Sequence, residues 1–61
     1  MEINNFKVYV KSDRTGYVSV HTTDGRWIDT GIQLSNISDD DLTTLDEAVA
    51  KYLVDHGYTF V

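Results

Sequence analysis

The period of the hydrophobic pattern changes once along this chain. Up to Leu34, apolar and polar side chains alternate; beyond it they recur at helical spacing. Alternation puts successive side chains on opposite sides of an extended backbone, whereas recurrence every three to four residues makes a stripe on a helix. In Phe6–Lys11, Phe6, Val8 and Val10 share one face and Lys7, Tyr9 and Lys11 the other. Ser12-Asp13-Arg14-Thr15-Gly16 is a turn cluster. Tyr17–Thr22 alternates again, with Val18 and Val20 inward. Thr23-Asp24-Gly25 is a hairpin signal, because glycine accepts positive φ after Asp. Arg26–Leu34 reads as a third strand, with Ile28, Thr30, Ile32 and Leu34 on one side.

Burial of one face restricts the register, since a slip of one residue turns a strand's apolar set to water. Val10 opposite Val18 and Val8 opposite Val20 satisfies this requirement. In the second hairpin, a two-residue Asp24-Gly25 turn would bring Trp27 to the Val18/Val20 face. A three-residue Thr23-Asp24-Gly25 loop with Gly25 left-handed brings Ile28 there instead. The second arrangement is expected, because Ile28, Ile32 and Leu34 then face inward together.

The helical segment has a start and a stop. Ser38 suits the N-cap, and Asp39, Asp40 and Asp41 put carboxylates where the helix dipole favours them. Asp41 occupies the capping-box position. Leu42, Leu45, Val49, Tyr52, Leu53 and His56 form the stripe, and Gly57 is the expected stop. Tyr58–Val61 is β-prone and could return beside the first strand, parallel to it. The expected fold class is α+β: one domain over residues 1–61, a three-stranded antiparallel meander sheet with one helix on one face, in the order β-β-β-α, with a candidate short fourth strand.

Composition limits what such a domain can do. With 61 residues, 41% hydrophobic, it can form a small core, and a pocket for a drug-sized ligand would remove most of it. There are no cysteines, so neither disulfides nor cysteine-ligated zinc can staple the fold. No stretch approaches the roughly 18 apolar residues of a membrane span. The opening Met1-Glu2-Ile3-Asn4-Asn5 lacks signal-peptide character, so a cytoplasmic location is expected. No cofactor or metal motif is apparent, and the chain is expected not to be an enzyme.

Charge is unevenly placed. Residues 1–34 carry four acids and four bases, so the whole net charge of −5 falls on residues 35–61, which hold six acids and one base. Such a run serves solubility, or it meets a basic partner surface. With the stripe facing the sheet, Asp39, Asp40, Asp46, Glu47 and Asp55 are expected on the outer surface as a protein-binding face. The uncovered sheet face would carry Lys7, Tyr9, Lys11, Tyr17, Ser19, His21, Trp27, Asp29 and Gln33. Exposed Tyr and Trp are enriched where partners bind. Lys7, Tyr9, Lys11, Tyr17, His21 and Trp27 therefore form a second candidate surface, for a protein partner, a second copy of the chain, or stacked bases. Nucleic acid is the less favoured ligand, because a net charge of −5 repels a polyanion.

Some constellations resemble catalytic or binding chemistry. Ser19, His21 and Asp29 share a face, with Ser19 opposite Asp29, but a triad needs His between the other two. Asp39-Asp40-Asp41 diverges by about 100° per residue, unlike the alternate acids of a calcium loop. Asn36-Ile37-Ser38 matches a glycosylation sequon, but Ser38 is better explained as a cap.

Three strands followed by a helix resemble, in topology, the arm-binding domains of integrases and the partial double-stranded-RNA-like antitoxins of the HicB type. Integrase arm domains carry a basic sheet, and the antitoxins add a DNA-binding segment; neither feature is matched here, and no motif carries either function over. Small acidic chains of this kind are often bacterial or phage-encoded stoichiometric inhibitors. The expected function is thus a non-enzymatic acidic binding protein that inhibits or modulates a basic, nucleic-acid-processing partner. The alternatives are a nucleic-acid-binding module using the sheet face and a homodimerising structural domain.

Overall fold

The computed structural model describes residues 1–61. Four strands and one helix follow in the order β1 (Glu2–Val10), β2 (Gly16–Thr22), β3 (Trp27–Leu34), α1 (Asp39–Asp55) and β4 (Thr59–Phe60). The sheet order is β3-β2-β1-β4. β1, β2 and β3 form an antiparallel meander, and β4 pairs parallel to β1 through Glu2↔Thr59 and Ile3↔Phe60. This is the expected α+β architecture, fourth strand included.

Next to its turn the second hairpin has the expected register, but between Ser19 and Tyr17 it shifts by two residues, so that Tyr17 faces Gln33 rather than Gly31. Gly25 is left-handed (φ 89°), the Gly25 amide donates to Thr22 O (3.0 Å), and Val20 faces Ile28. The first hairpin is shifted by two residues from expectation: Val8 faces Val18 and Phe6 faces Val20. A shift of two keeps every apolar residue on the same side, so alternation alone cannot detect it. Its cause is the loop. Arg14 (φ 64°) takes the left-handed position, Arg14 N donates to Lys11 O (3.0 Å), and Lys11 N donates to Thr15 O (2.8 Å). Each hairpin therefore has a three-residue loop closed by the same bond pattern. Gly16 is not in the turn; it opens β2, where a Cβ would lie 2.7 Å from Tyr9 O.

A bulge in β1 changes which side chains face inward. The register steps between Ile3 and Asn5, so Ile3 joins Phe6 and Val8 on the inner side although three positions separate it from Phe6. Ile3, Val18, Val20, Val49 and Leu53 make the buried core, flanked by half-buried Phe6, Val8, Ile28, Ile32, Leu34, Leu45 and Tyr58. Full burial of an aliphatic side chain of this size contributes about 1.5–3 kcal/mol.

Both ends of α1 are capped as expected. Ser38 Oγ accepts from Asp41 N (3.1 Å) and Asp41 Oδ2 accepts from Ser38 N (3.2 Å). At the far end Gly57 is left-handed (φ 92°), Tyr58 N donates to Leu53 O (3.0 Å) and Gly57 N to Val54 O (3.2 Å), the two bonds of a Schellman motif. The inward stripe is narrower than expected. Val49 and Leu53 are buried, but Leu42, Tyr52 and His56 are exposed. Tyr52 lies on the flank of the Leu45-Val49-Leu53 row and stacks on His56 (3.9 Å) instead. Leu42 has an inward angle, but it lies in the first turn. On the flank away from Leu42, a groove of about 200 Å³ lined in part by Leu34, Ile37, Leu45 and Ala48 runs between the helix start and the end of β3. No helix is long and apolar enough to cross a membrane.

Candidate interaction surfaces

The sheet presents its uncovered face through three rows, read across β1, β2 and β3. Tyr9 faces Tyr17, which faces Gln33; Lys7 faces Ser19, which faces Asp29; Asn5 faces His21, which faces Trp27. Antiparallel pairing at this parity puts all nine on one side. Cross-strand neighbours on one face stand about 5 Å apart, which brings aromatic rings into contact. Tyr9 and Tyr17 stack with centroids 4.8 Å apart, and His21 packs on Trp27 at 4.9 Å. Lys7 Nζ rests 4.8 Å from the Trp27 ring centroid, within cation–π range. Tyr9, Tyr17 and Trp27 remain 40%, 38% and 44% exposed. Trp27 is therefore neither buried nor isolated.

His21 is held by a residue that the sequence pattern did not single out. The β1 bulge brings Asn4 beside it, with Asn4 Oδ1 2.5 Å from His21 Nδ1. Asp29 faces Ser19 as expected, but its Oδ1 accepts from Gly31 N (2.9 Å). Ser19, His21 and Asp29 thus share a face without forming a relay. Asp29 also protects the sheet edge. With Gly31 N bonded to Asp29 and Ile32 N to Thr30 Oγ1 (3.2 Å), β3 offers fewer free donors to an added strand.

Lys11 stands apart from the rows. It follows β1 and lines an open polar cleft of about 550 Å³ with Asp13, Thr15, Tyr17, Gln33 and Ser35. Hydrogen bonds from the Thr15 hydroxyl and then its amide hold the Asp13 carboxyl below its ordinary pKa. In the other loop, the Thr22 hydroxyl bond does the same for Asp24, aided by Arg26. These carboxylates brace loops. No three His, Asp or Glu side chains converge where a metal ion could sit.

The helix surface is built differently. Asp40, Asp46, Glu47 and Asp55 are exposed and none forms an ion pair. Asp39 is not part of this free set, because Arg14 Nη2 bonds its Oδ1 at 2.5 Å. That contact, with the bond from Ile37 N to Arg14 O (3.1 Å), ties the first loop to the helix start. Arg14 and Asp39 are 25 positions apart, so no local pattern announces the pair. At 100° per residue Asp40, Glu47 and Asp55 fall on the side of α1 away from the sheet, whereas Asp46, seven positions before the buried Leu53, is exposed on the flank of the inward row and not on the expected outer surface.

Comparison with known proteins adds no relative: no family model, no curated protein and no solved structure matches this chain.

Proposed function

We propose that this protein is a non-enzymatic binding protein acting by stoichiometric contact, and that its acidic helix meets a basic surface on a protein partner. The observation carrying this reading is that Asp40, Asp46, Glu47 and Asp55 stand exposed without cation partners, while Asp24 and Asp39 each have an arginine. Uncompensated surface charge raises the rate of encounter with an opposite surface. A nucleic-acid-processing protein has such a surface in its binding groove, and occupying it would inhibit or modulate that protein. The setting proposed is the cytoplasm of a bacterium, with a bacterial or phage origin. The test is capture from bacterial lysate with wild type and with Asp46→Asn/Glu47→Gln. The expected result is a basic protein retained by wild type and released at lower salt by the variant. Equal recovery and equal salt response would reduce the helix to a solubility face.

A second reading concerns the sheet face, supported by the stacked and exposed Tyr9, Tyr17 and Trp27. It is a contact between two copies of the chain. Nucleic acid is a weaker ligand for this face, because Arg14 and Arg26 are engaged with Asp39 and Asp24, leaving Lys7 and Lys11. Single-stranded oligonucleotides should therefore leave Trp27 fluorescence unquenched at low salt. Quenching that weakens steeply as salt rises would favour the nucleic-acid alternative.

A further inference from the structure

The register of the open face favours one mode of self-association. We propose that two copies pack sheet face to sheet face about a two-fold axis running parallel to β2 and above it, so that Lys7 of each copy pairs with Asp29 of the other. This proposal rests on the self-contact reading of the sheet face.

A two-fold axis between facing sheets, parallel to the central strand, keeps each row at its own level and exchanges its two ends. The central row runs Lys7–Ser19–Asp29 across β1, β2 and β3. Its ends carry opposite charges, so the exchange sets Lys7 over Asp29 twice, with Ser19 on the axis. The row Tyr9–Tyr17–Gln33 places each Tyr9 over a Gln33 amide, and the row Asn5–His21–Trp27 each Trp27 over Asn5. An axis across the strands lacks this complementarity. Centred on the Lys7 row it sets Lys7 over Lys7, and centred on the Tyr9 row it sets Lys7 over Lys11.

The charge distribution agrees. Residues 1–34, which form the three strands of this face, are neutral in sum, and the net −5 lies on the helix segment. Facing sheets stand about 10 Å apart with each helix on the far side, so the helices are separated by well over a Debye length of about 8 Å at physiological salt. Three strands about 4.8 Å apart make a patch at the small end of protein interfaces, the class of weak and transient contacts.

The test is sedimentation equilibrium of the full chain from about 10 µM to about 2 mM, the range in which weak contacts form, with Trp27 emission followed over the same range. Wild type should move from 6.9 kDa toward twice that mass, and its emission should shift to the blue as Trp27 is covered. Lys7→Glu alone and Asp29→Lys alone should each weaken the dimer about tenfold, because each sets like charges together. An equal mixture of the two variants should associate as wild type does, since each copy then offers the other an opposite charge at both contacts. Asp29→Lys discriminates further. It reduces the net negative charge, so repulsion between whole molecules alone would make it associate more tightly. Far-UV circular dichroism checks that both variants fold. A wild-type chain that stays monomeric with unchanged emission overturns this proposal and the self-contact reading together. A wild-type dimer that the single variants leave intact, or folded variants whose mixture stays monomeric, overturns the axis alone.

Discussion

The two surfaces differ in how their groups are engaged. On the sheet face, tyrosine stacks on tyrosine, lysine rests on tryptophan, and asparagine holds histidine. Among the exposed helix residues, Asp40, Asp46, Glu47 and Asp55 form no ion pair, and neither does Lys51. The first is a pre-ordered patch, whose side chains would lose little freedom on contact. The second is a solvated field acting over a Debye length and able to steer a partner, but it has no shape to recognise one. A chain too small for an internal site can thus present short-range and long-range recognition on opposite sides of one sheet.

The largest break in this contrast would come from unseating the helix. Leu53 is fully buried against the sheet, and Leu53→Ala should cost about 2–5 kcal/mol in urea unfolding. A cost below about 1 kcal/mol would mean that the helix is not held as described. Gly16→Ala should cost about 1–3 kcal/mol by the same measurement, because the new Cβ meets Tyr9 O at 2.7 Å. Gly25→Ala meets nothing within 4 Å, so it should cost only about 1–2 kcal/mol from its left-handed backbone.

Smaller effects sharpen the contrast itself. A double-mutant cycle of Tyr9→Ala and Tyr17→Ala should give a coupling of about 0.5–1.5 kcal/mol. The same cycle for Asp46→Asn and Glu47→Gln should be additive, with each change within about 0.5 kcal/mol. Coupling on the helix, or its absence on the sheet, would invert the comparison.

Acid should act on the loops. Asp13 and Asp24 have lowered pKa values in the folded state. Each favours the fold above its ordinary value of 3.8, and the contribution is lost as pH falls through the folded value. Stability should decline with this origin only below about pH 4. In a urea series across that range, Asp13→Asn and Asp24→Asn should each flatten the decline.

Elements defined by short local patterns were legible in the sequence. Ser38 with Asp41, Gly57 at the helix stop, and Thr23-Asp24-Gly25 each state their structure within a few residues. What was hidden depends on contacts between distant positions or on parity. Alternation constrains a strand to odd or even, so the shift that pairs Val8 with Val18 cannot be detected. The Asn4–Asn5 irregularity interrupts the alternation at Ile3, concealing a fully buried residue and the partner of His21. Arg14 gives no glycine-like signal for a left-handed turn, because its support comes from Ile37 and Asp39. Of the candidate surfaces, the composition of the sheet face could be listed from the sequence, but its couplings could not. On the helix the exposure of the acids was legible, whereas the engagement of Asp39 was not.

The central claim is that the protein works by contact, with its acidic helix steering a basic partner. The most direct test is to measure association and dissociation rates for the captured partner against wild type and Asp46→Asn/Glu47→Gln. The account predicts a severalfold slower association for the variant at low salt, a difference that shrinks as salt rises, and little change in dissociation. Identical association rates at every salt concentration would contradict it.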